Sequence, residues 1–436
     1  MLTRIGVPSI DALFESIPPG NRLERPLALD PALDEAALMA HLTVLSERNE
    51  AGRSLSFLGA GIYAHHIPPA VDQLLLRSEL YTAYTPYQPE VSQGTLQATF
   101  EFQTVVCQLF GMEAANASMY DGASATAESV LMARRIQKKT HCVLSAGVHP
   151  EYVDTVRTYL RGLDAGDDLT VVPLGEDGRT DMSSLRAALR DDTGAVVVGY
   201  PNFLGCVEDL PAIRDAASAR GALLITATWE PYALSLLRPP GELGADIAVG
   251  EGQALAVPPQ LGGPGVGLFS CRQQHVRQLP GRLVGETLDR NGRRGYVLTL
   301  ATREQHIRRE RATSNICTNH GLMALAMGIR LALLGRRGFE ATGRLCLSRA
   351  EYLKEKIIGT GRFTIPTSAP TFNEFVIRRK EGKAAPLVAS LAAQGVLAGL
   401  DLGRHYPDRD RDVLVAVTEC CSRADLDRFV ELLAES

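Results

Sequence analysis

Short apolar runs alternate with helix signals between about residues 112 and 270, and this alternation restricts the possible folds more than any other feature of the sequence. AVVVG (195–199) and ALLIT (222–226) each have the length and composition of one buried strand. Between them, Asp209 can begin a helix and Gly221 can close it. Strands that are joined by helices pair in parallel, and helices cover both faces of the resulting sheet. The pattern predicts an α/β domain with a mostly parallel sheet.

The two ends of the chain differ from this central region. The first 70 residues carry two helix signals, and the tail combines short strands with helices. Near the end of the tail, Ser422 and Asp425 have the spacing of a capping box at the start of a last helix. We therefore expect an N-terminal helical segment over residues 1–70, a large α/β domain over 71–335 and a smaller C-terminal α+β domain over 336–436.

Charge and hydropathy argue against two classes of protein. The 436 residues carry a net charge of −5 with a pI near 6.0, whereas a nucleic-acid-binding protein carries a basic excess on some face. No run approaches the roughly 18 apolar residues of a membrane span. The N-terminal stretch is acidic where a signal peptide is apolar, and the eight cysteines show no disulfide or zinc spacing. We expect a cytoplasmic protein with reduced thiols that binds neither nucleic acid nor membrane.

The distribution of lysine restricts the chemistry. The six lysines are Lys138, Lys139, Lys354, Lys356, Lys380 and Lys383. None lies between residues 140 and 353. The chain prefers arginine throughout, which explains the scarcity, but arginine cannot form a Schiff base and lysine can. Most of the central α/β region therefore offers no amine to which a carbonyl cofactor could be attached.

Four short motifs of this region occur in a recognisable order. Ser124 lies among small residues just before a helical segment, His149 follows an apolar strand, Glu230 ends the run ALLITATWE, and Gly262–Gly265 form a glycine-rich turn. In fold-type-I pyridoxal phosphate enzymes, a helix N-terminus holds the phosphate, an aromatic or histidine ring stacks on the cofactor, a carboxylate pairs with the pyridine nitrogen, and a lysine forms the Schiff base. The order of the motifs resembles that layout, although small hydroxyl residues at a helix start are also typical of an ordinary N-cap.

Two further motifs resemble ligand sites but favour other interpretations. Gly59–Ala64 matches the dinucleotide fingerprint G-x-G-x-x-A, yet Pro68 and Pro69 follow where the phosphate-binding helix would run. We interpret the stretch as a structural turn. His65 and His66 are adjacent, so they do not face one way on a helix, and no acidic partner follows at helical spacing. The sequence therefore predicts no metal site.

Several long segments carry a family resemblance that covers essentially the whole chain. They are YTAYTPYQPEVSQG (81–94), residues 238–267, residues 278–326, FNEFVI near 372 and VTE near 417. These composite motifs resemble the glycine dehydrogenase (decarboxylating) family, the P-proteins of the glycine cleavage system, and specifically the α chain, subunit 1, of its two-chain form.

The resemblance implies a fold, a reaction and partners. The fold is fold-type-I pyridoxal-phosphate-transferase-like. The reaction takes glycine and the oxidised lipoyl arm of H-protein to CO₂ and an aminomethyl-loaded lipoyl arm. In the two-chain form a homologous β chain carries the cofactor lysine, and the family suggests an α₂β₂ complex. The resemblance therefore implies the β subunit, lipoylated H-protein and glycine as partners, with pyridoxal phosphate carried by the β subunit and none bound covalently to this chain.

Alignment of the glycine-rich turn with lysine-bearing members puts Gln253 at or next to the Schiff-base position. Glutamine has no basic amine, so no imine can form there. Ser124, His149 and Glu230 are then remnants around a degenerate cofactor site. Glu230 stands where the family pattern has an aspartate, and Trp229 before it is larger than the residue usual in the family.

Polar residues in two places are candidates for an active-site wall at the subunit interface. They are Tyr84, Thr85, Tyr87, Gln88 and Glu90 on a proline-punctuated loop, and Asn315, Thr318 and Asn319 before an apolar helix. The first group could reach the partner's cofactor, or the loop could only pack at the interface. The second group could contribute contacts, or it could cap the helix that follows.

Two other functions compete with the subunit hypothesis. In one, the chain is a catalytically inactive fold-type-I pseudoenzyme that acts as a scaffold. In the other, it is a self-sufficient pyridoxal phosphate enzyme that uses a distant lysine such as Lys138 or Lys354. Lys354 lies in the expected small domain and Lys138 on a helix flank, which disfavours the second alternative. A colourless chain that becomes part of an active complex with a lysine-bearing homologue would favour the subunit hypothesis.

Overall fold

The structure is a computed structural model that describes residues 1–23, 25–163, 168–260, 262–316 and 318–436. The chain divides into two units, Met1–Arg53 and Ser54–Ser436. The first unit has helices α1 (Leu2–Ile5) and α2 (Glu35–Glu47) and the 3-10 segments Asp11–Phe14 and Pro19–Asn21. No residue of these four segments is buried. The first unit therefore has no core of its own in these segments.

Eleven α-helices belong to the described part of the second unit. They are α3 (Pro69–Leu75), α4 (Ser78–Tyr81), α5 (Gln93–Phe110), α6 (Gly122–Gln137), α7 (Pro150–Arg161), α8 (Met182–Ala188), α9 (Leu210–Ser218), α10 (Gln305–Arg308), α11 (Gly321–Gly359), α12 (Ala384–Ala392) and α13 (Arg423–Glu435). Helix α9 begins as predicted, because the Asp209 side chain accepts a hydrogen bond from the amide of Ala212. Helix α11 is kinked at Gly335, whose φ of 61° and ψ of 174° are not helical.

The same unit contains fifteen described strands. They are β1 (Leu55–Ser56), β2 (Ala114–Ala115), β3 (His141–Ser145), β4 (Leu169–Val172), β5 (Thr193–Gly199), β6 (Leu223–Thr228), β7 (Ile247–Glu251), β8 (Gly267–Cys271), β9 (Leu283–Leu288), β10 (Arg294–Thr299), β11 (Phe363–Thr364), β12 (Glu374–Arg379), β13 (Val396–Leu397), β14 (Leu400–Asp401) and β15 (Asp412–Ala416). Both runs that predicted strands, 195–199 and 222–226, fall on β5 and β6 to within two residues.

Seven strands form the central sheet in the order β2-β8-β7-β6-β5-β3-β4. The strands from β4 to β7 pair in parallel, with Ala195 opposite Leu223 and Ile225 opposite Ile247. Strands β8 and β2 close one edge by antiparallel pairing. The prediction of a mostly parallel sheet is confirmed.

Alternate residues of the central strands pack on opposite faces of the sheet. Val197 and Ile225 belong to the core under α6 and α7, whereas Val196, Val198 and Leu224 belong to the core under α5, α9 and α11. This two-sided burial explains why the strands read as continuous apolar runs, since neither face meets water. The parallel strands all end at one edge, which is where side chains can gather into a site.

The C-terminal part has an antiparallel sheet in the order β11-β12-β15-β14. Its core is shared with the last turns of α11 and with α12 and α13. Helix α13 begins with the predicted capping box, in which Asp425 N–H donates to Ser422 Oγ (3.2 Å) and Ser422 N–H donates to Asp425 Oδ2 (2.8 Å). Two smaller pairings are β1 with β13 and the hairpin of β9 with β10. The three-domain division stays a prediction.

Two findings bear on membranes and thiols. Among the described residues, no helix combines the length and the apolar character that a membrane span needs. Cys107, Cys142, Cys206, Cys271, Cys346, Cys420 and Cys421 are free thiols. The eighth cysteine, Cys317, lies outside the described residues.

Candidate functional site

The sequence suggested an anion site at the start of α6. The backbone N–H groups there donate hydrogen bonds to carboxylates of this chain. Ser124 N–H donates to Asp121 Oδ1 (2.7 Å), and Asp121 N–H donates to Ser124 Oγ (3.3 Å). The first helical amide, that of Gly122, donates to Glu251 Oε2 (3.0 Å). The N-cap of the helix is therefore Asp121, with Ser124 as the reciprocal member of a capping box.

Glu251, at the end of β7, fills the place that an anion would take at this helix start. Besides Gly122, its carboxylate accepts from the amides of Gln253 (2.8 Å) and Val266 (2.9 Å). Burial raises the pKa of Glu251, and the three backbone donors oppose that rise. The glycine-rich turn packs closely here, because a Cβ at Gly265 would lie 2.9 Å from Glu251 Oε2.

Gln253, predicted to stand at or next to the Schiff-base position, is buried in the 3-10 segment Gln253–Leu255. Its side-chain amide donates to the carbonyl of Val257. Its Oε1 is buried and has no hydrogen-bond partner among the described residues. The side chain is thus held by the local backbone, and position 253 carries no group that could attach a carbonyl compound.

His149 is the N-cap of α7 and lies in an aromatic cluster. Its Nε2 is 2.9 Å from the carbonyl of Ala60, and its Nδ1 accepts from the amide of Glu151 (3.2 Å). Burial lowers the pKa of His149, so the ring is neutral and its proton lies on Nε2. The ring of Tyr152 stacks on it at 4.8 Å and 22°. A face on which a cofactor ring could stack is therefore taken by a side chain of this chain.

Trp229 closes the same cluster. It is 2% exposed, and its ring packs at steep angles against His149 (5.8 Å) and Tyr152 (5.9 Å). A Cβ at Gly199 would lie 2.4 Å from the far edge of the indole, so the strand end beside it has no room for a side chain. This tryptophan, which the sequence analysis found to be larger than the residue usual in the family pattern, fills the space between the strand ends.

Pyridoxal phosphate does not fit the described residues at this place. The helix start is occupied by Glu251, a face of His149 is covered by Tyr152, and Trp229 fills the space between the strand ends. Gln253 offers no amine. The phosphate position and the stacking face are thus occupied by side chains of this chain, and the lysine position lacks its amine.

Glu230, predicted near the pyridine position, faces another group. Its Oε2 is 3.1 Å from His65 Nε2, and its Oε1 accepts from the amide of Tyr232 (2.9 Å). The Gly59–Ala64 stretch contacts His149 through the Ala60 carbonyl, and it forms the turn that we predicted rather than a phosphate-binding helix. A Cβ at Gly61 would lie 2.9 Å from His149 Nε2, which explains the need for glycine there.

The two groups of predicted wall residues meet at one cavity of about 270 Å³. Tyr84 and Thr85 line one side of it, and Thr318 and Asn319 line the other. Asn319 is fixed by a 2.7 Å hydrogen bond from its amide to the carbonyl of Ala117. Residues that are more than 200 positions apart in the chain thus face one opening, which the sequence alone could not show.

Arg282 holds the loop side of this cavity. It is 4% exposed and lies 3.4 Å from Glu304. Its guanidinium donates to Thr85 Oγ1 (3.4 Å) and Tyr87 Oη (3.2 Å), and it lies over the Tyr87 ring at 5.4 Å. A planar group with five donors suits such a junction, because it can bind several oxygens at fixed angles.

Four of the predicted wall residues do not line this cavity. Gln88 and Glu90 are exposed beside the 3-10 segment Pro89–Val91, and Asn315 is exposed and hydrogen-bonds Tyr159. Tyr87 is half exposed and reaches the cavity wall through Arg282. The predicted wall is therefore divided between a cavity-lining part and an outer part.

Sequence reasoning did not find Arg282, Glu251 or Tyr152. Arg282 follows the Pro-Gly pair at 280–281, but nothing local separates it from the many other arginines. Glu251 could have been found as an acidic residue at the end of an apolar strand, the position where parallel strands place functional groups. Tyr152 gave no signal, because its role depends on a stacking contact.

Comparisons with known proteins agree with the resemblance seen in the sequence. The family model "Glycine cleavage system P-protein" matches residues 1–433. A protein of Sorangium cellulosum (strain So ce56), named "Probable glycine dehydrogenase (decarboxylating) subunit 1", is 59% identical over 437 residues, which cover 100% of this chain and 96% of that protein.

Two solved structures show the same fold. A crystal structure of glycine decarboxylase (P-protein) of the glycine cleavage system, in inhibitor-bound form, has a TM-score of 0.92 and 42% identity, and the match covers 100% of this chain and 97% of that chain. A Lactobacillus brevis glutamate decarboxylase has a TM-score of 0.69 and 14% identity over 95% of each chain, a likeness of fold alone. The architecture is fold-type-I, and the chain belongs to the glycine cleavage system P-protein family.

Proposed function

We propose that this chain is the α subunit of a two-chain glycine decarboxylase, the P-protein of the glycine cleavage system. With a lysine-bearing β subunit it converts glycine and the oxidised lipoyl arm of H-protein to CO₂ and an aminomethyl-loaded lipoyl arm. Pyridoxal phosphate is carried by the β subunit. The similarity to proteins named subunit 1 and to a glycine decarboxylase P-protein supports the activity and the existence of a second subunit.

One observation carries the assignment of the cofactor to the other chain. The position that a cofactor would take in this chain is filled by Trp229, Tyr152 and Glu251, and Gln253 replaces the lysine. Opening this space would leave two large rings without packing partners and expose a buried carboxylate, which costs several kcal/mol. A degenerate and closed site supports a role through another surface of the chain.

The surface that we assign to this role is the cavity wall of Tyr84, Thr85, Thr318 and Asn319. It carries hydroxyl and amide groups that can donate and accept hydrogen bonds, and Arg282 beneath it keeps the loop in place. In the complex these groups complete the wall of the partner's active site. They position the reactants and exclude water, and they take no part in bond making.

The first test separates the subunit from a self-sufficient enzyme. The full-length chain, purified alone with added pyridoxal phosphate, should show no imine absorption band and no adduct that borohydride fixes. Co-expressed with a lysine-bearing homologue, it should enter a coloured complex that exchanges CO₂ with the carboxyl group of glycine. A coloured chain that keeps its colour through dialysis would contradict the proposal.

The second test separates an active-site wall from a scaffold. In the complex, Tyr87→Phe removes the hydroxyl that accepts from Arg282, and we expect turnover to fall about tenfold, which corresponds to about 1.4 kcal/mol of barrier. Tyr352→Phe removes a phenolic hydroxyl that donates to Asp427 in the C-terminal part, and it serves as the matched control. Unchanged turnover in Tyr87→Phe and in Tyr84→Phe, which removes a hydroxyl of the cavity wall, with intact assembly would leave only the scaffold role.

A further inference from the structure

Three potential metal ligands from distant parts of the chain meet in the interior of the second unit. His65 follows β1, Cys346 lies on α11, and Glu419 lies between β15 and α13. One ligand atom of each lies within 4.8 Å of the other two. The His65 and Cys346 side chains are fully buried, and that of Glu419 is 14% exposed. The sequence predicted no metal site, because only residues close to His65 and His66 in the chain were considered as further ligands.

Glu419 is the centre of the cluster. Its Oε2 lies 2.6 Å from His65 Nδ1 and accepts from the Cys346 thiol at 3.5 Å. Its Oε1 accepts from the amide of His66 (2.8 Å), and its backbone carbonyl accepts from Arg349. The carboxylate is thus held with one oxygen aimed between an imidazole nitrogen and a sulfur atom.

The other nitrogen of His65 has the partner that a metal-binding histidine usually has. Nε2 lies 3.1 Å from Glu230 Oε2, and the Tyr232 ring stacks on the imidazole at 4.1 Å. A carboxylate that accepts from the second ring N–H fixes the tautomer and the ring orientation in metal sites. Nδ1 therefore faces Glu419 and Cys346 with the ring already oriented.

We propose that His65, Cys346 and Glu419 bind a divalent transition-metal ion, with zinc as the best chemical match. Imidazole, thiolate and carboxylate together form the ligand set of zinc sites, and a thiolate disfavours Ca²⁺ and Mg²⁺. A fourth position is left for water or the second Glu419 oxygen. Bonds of about 2.0–2.3 Å place tetrahedral ligands about 3.3–3.7 Å apart, so the carboxylate withdraws by less than about 1 Å from Nδ1.

A divalent ion can bind at this buried place without a change in net charge, because protons leave when the ion enters. Both ring nitrogens of His65 face carboxylate oxygens, which only accept, so the ring carries a proton on each. When the ion binds, the Nδ1 proton and the Cys346 thiol proton leave to solvent, and the lone pairs of nitrogen and sulfur form bonds to the metal. Two protons are exchanged for one divalent cation, and the net charge of the cluster stays the same.

The ion would join three segments that are otherwise separate in the chain. His65 is in the segment before α3, Cys346 is in the middle of the long helix, and Glu419 is at the entry to α13. A ligand that binds only the folded state raises its stability by mass action. The site therefore has a structural role, and it does not depend on the function proposed above.

The test uses the full-length chain, treated with a chelator and then titrated with Co²⁺ alone. We expect about one equivalent to bind with a thiolate-to-cobalt charge-transfer band, Zn²⁺ to displace it, and the melting temperature to rise with either ion. Glu230→Gln should weaken binding about tenfold through the ring orientation while the band persists. A wild-type chain that shows no cobalt band and no rise in melting temperature would overturn the site.

Two cysteine variants identify the sulfur ligand. Cys346→Ser, nearly the same size, should lose the charge-transfer band, whereas Cys107→Ser, on α5, should keep it. Glu419→Gln, which replaces a ligand oxygen, should keep the band and weaken binding by more than the roughly tenfold expected for Glu230→Gln, which preserves the test if Cys346→Ser does not fold. A band that survives in folded Cys346→Ser would contradict the proposal, and so would one lost only in Cys420→Ser.

Discussion

Trp229 shows that one buried side chain can fill the space in which a cofactor would bind. Its indole lies among His149, Tyr152 and Phe203, and a Cβ at Gly199 would lie only 2.4 Å from its edge. The sequence identified it only as a large residue where the family usually has a smaller one. Whether such a residue points into the site or away from it depends on the strand end that carries it, and a pattern of residue types does not contain that information.

Replacing Trp229 by alanine should therefore destabilise the chain strongly. The ring is buried among other aromatic rings, and its removal leaves a cavity that the rigid strand ends cannot close. We expect the free energy of unfolding to fall by about 3–5 kcal/mol, and by less in Trp229→Phe. Chemical denaturation measures both, with an unchanged denaturant slope as the sign of a native-state effect. A loss below about 1 kcal/mol in Trp229→Ala would show that the ring does not fill this space.

Glu374 makes a pH-dependent contribution that can be measured. It accepts from Ala60 N–H (2.7 Å) and Tyr63 O–H (2.8 Å) in a fully buried position. Burial raises the pKa of Glu374 to about 8, although these two hydrogen bonds oppose the rise. Between the ordinary value of 4.5 and about 8, the folded chain keeps a proton that the unfolded chain has lost. The free energy of unfolding therefore falls as pH rises through this window.

The variant Glu374→Gln should remove that part of the pH dependence. Glutamine resembles the protonated carboxyl group, and it has no charge to desolvate at high pH. We expect the stability difference between about pH 5.5 and about pH 8.5 to be smaller in the variant than in the parent chain. Glu381→Gln, which changes an exposed carboxylate, is the control. Equal pH slopes in the parent and Glu374→Gln would contradict the raised pKa.

At the scale of elements, the sequence predicted what local chemistry determines. The capping box of α13, the Asp209 cap of α9 and the buried strands β5 and β6 all follow from residue types at short spacing. The cavity between the 81–90 loop and the start of α11 could not be predicted this way. Its two sides are joined by the packing of distant segments, and Arg282, which holds one side, has no local signature.

The 81–90 loop should lose order when Arg282 is replaced by lysine. The guanidinium contacts Thr85, Tyr87 and Glu304 together, and an ammonium group on a flexible stem cannot reach all three. We expect faster amide hydrogen exchange in the loop, with unchanged exchange in the central sheet. Arg294→Lys, at an exposed arginine over the Tyr296 ring, is the matched control. Unchanged exchange in Arg282→Lys would show that the loop is held by other contacts.

For the whole molecule, the closed cofactor position and the open cavity wall are consequences of the same fold. The sheet still brings the ends of β5, β6 and β7 to one edge beside the α6 start, as in enzymes that hold a ligand there. In this chain those strand ends carry Trp229 and Glu251. Trp229 packs against His149, and Glu251 accepts a hydrogen bond from the first amide of α6. The architecture is retained while the role that we propose lies at another surface, so the fold alone does not identify the functional site.

Restoring the lysine alone should therefore not restore cofactor binding. In Gln253→Lys the new amine is buried beside a helix start already paired with Glu251, and no space is left for a ring on His149. With added pyridoxal phosphate we expect no imine band and, after borohydride, no adduct at position 253 by peptide mapping. Gln253→Met, similar in length and without an amine, separates loss of stability from loss of chemistry. An adduct at position 253 in Gln253→Lys would contradict this expectation. It would show that the site opens and that the missing lysine amine alone prevents cofactor attachment in the parent chain.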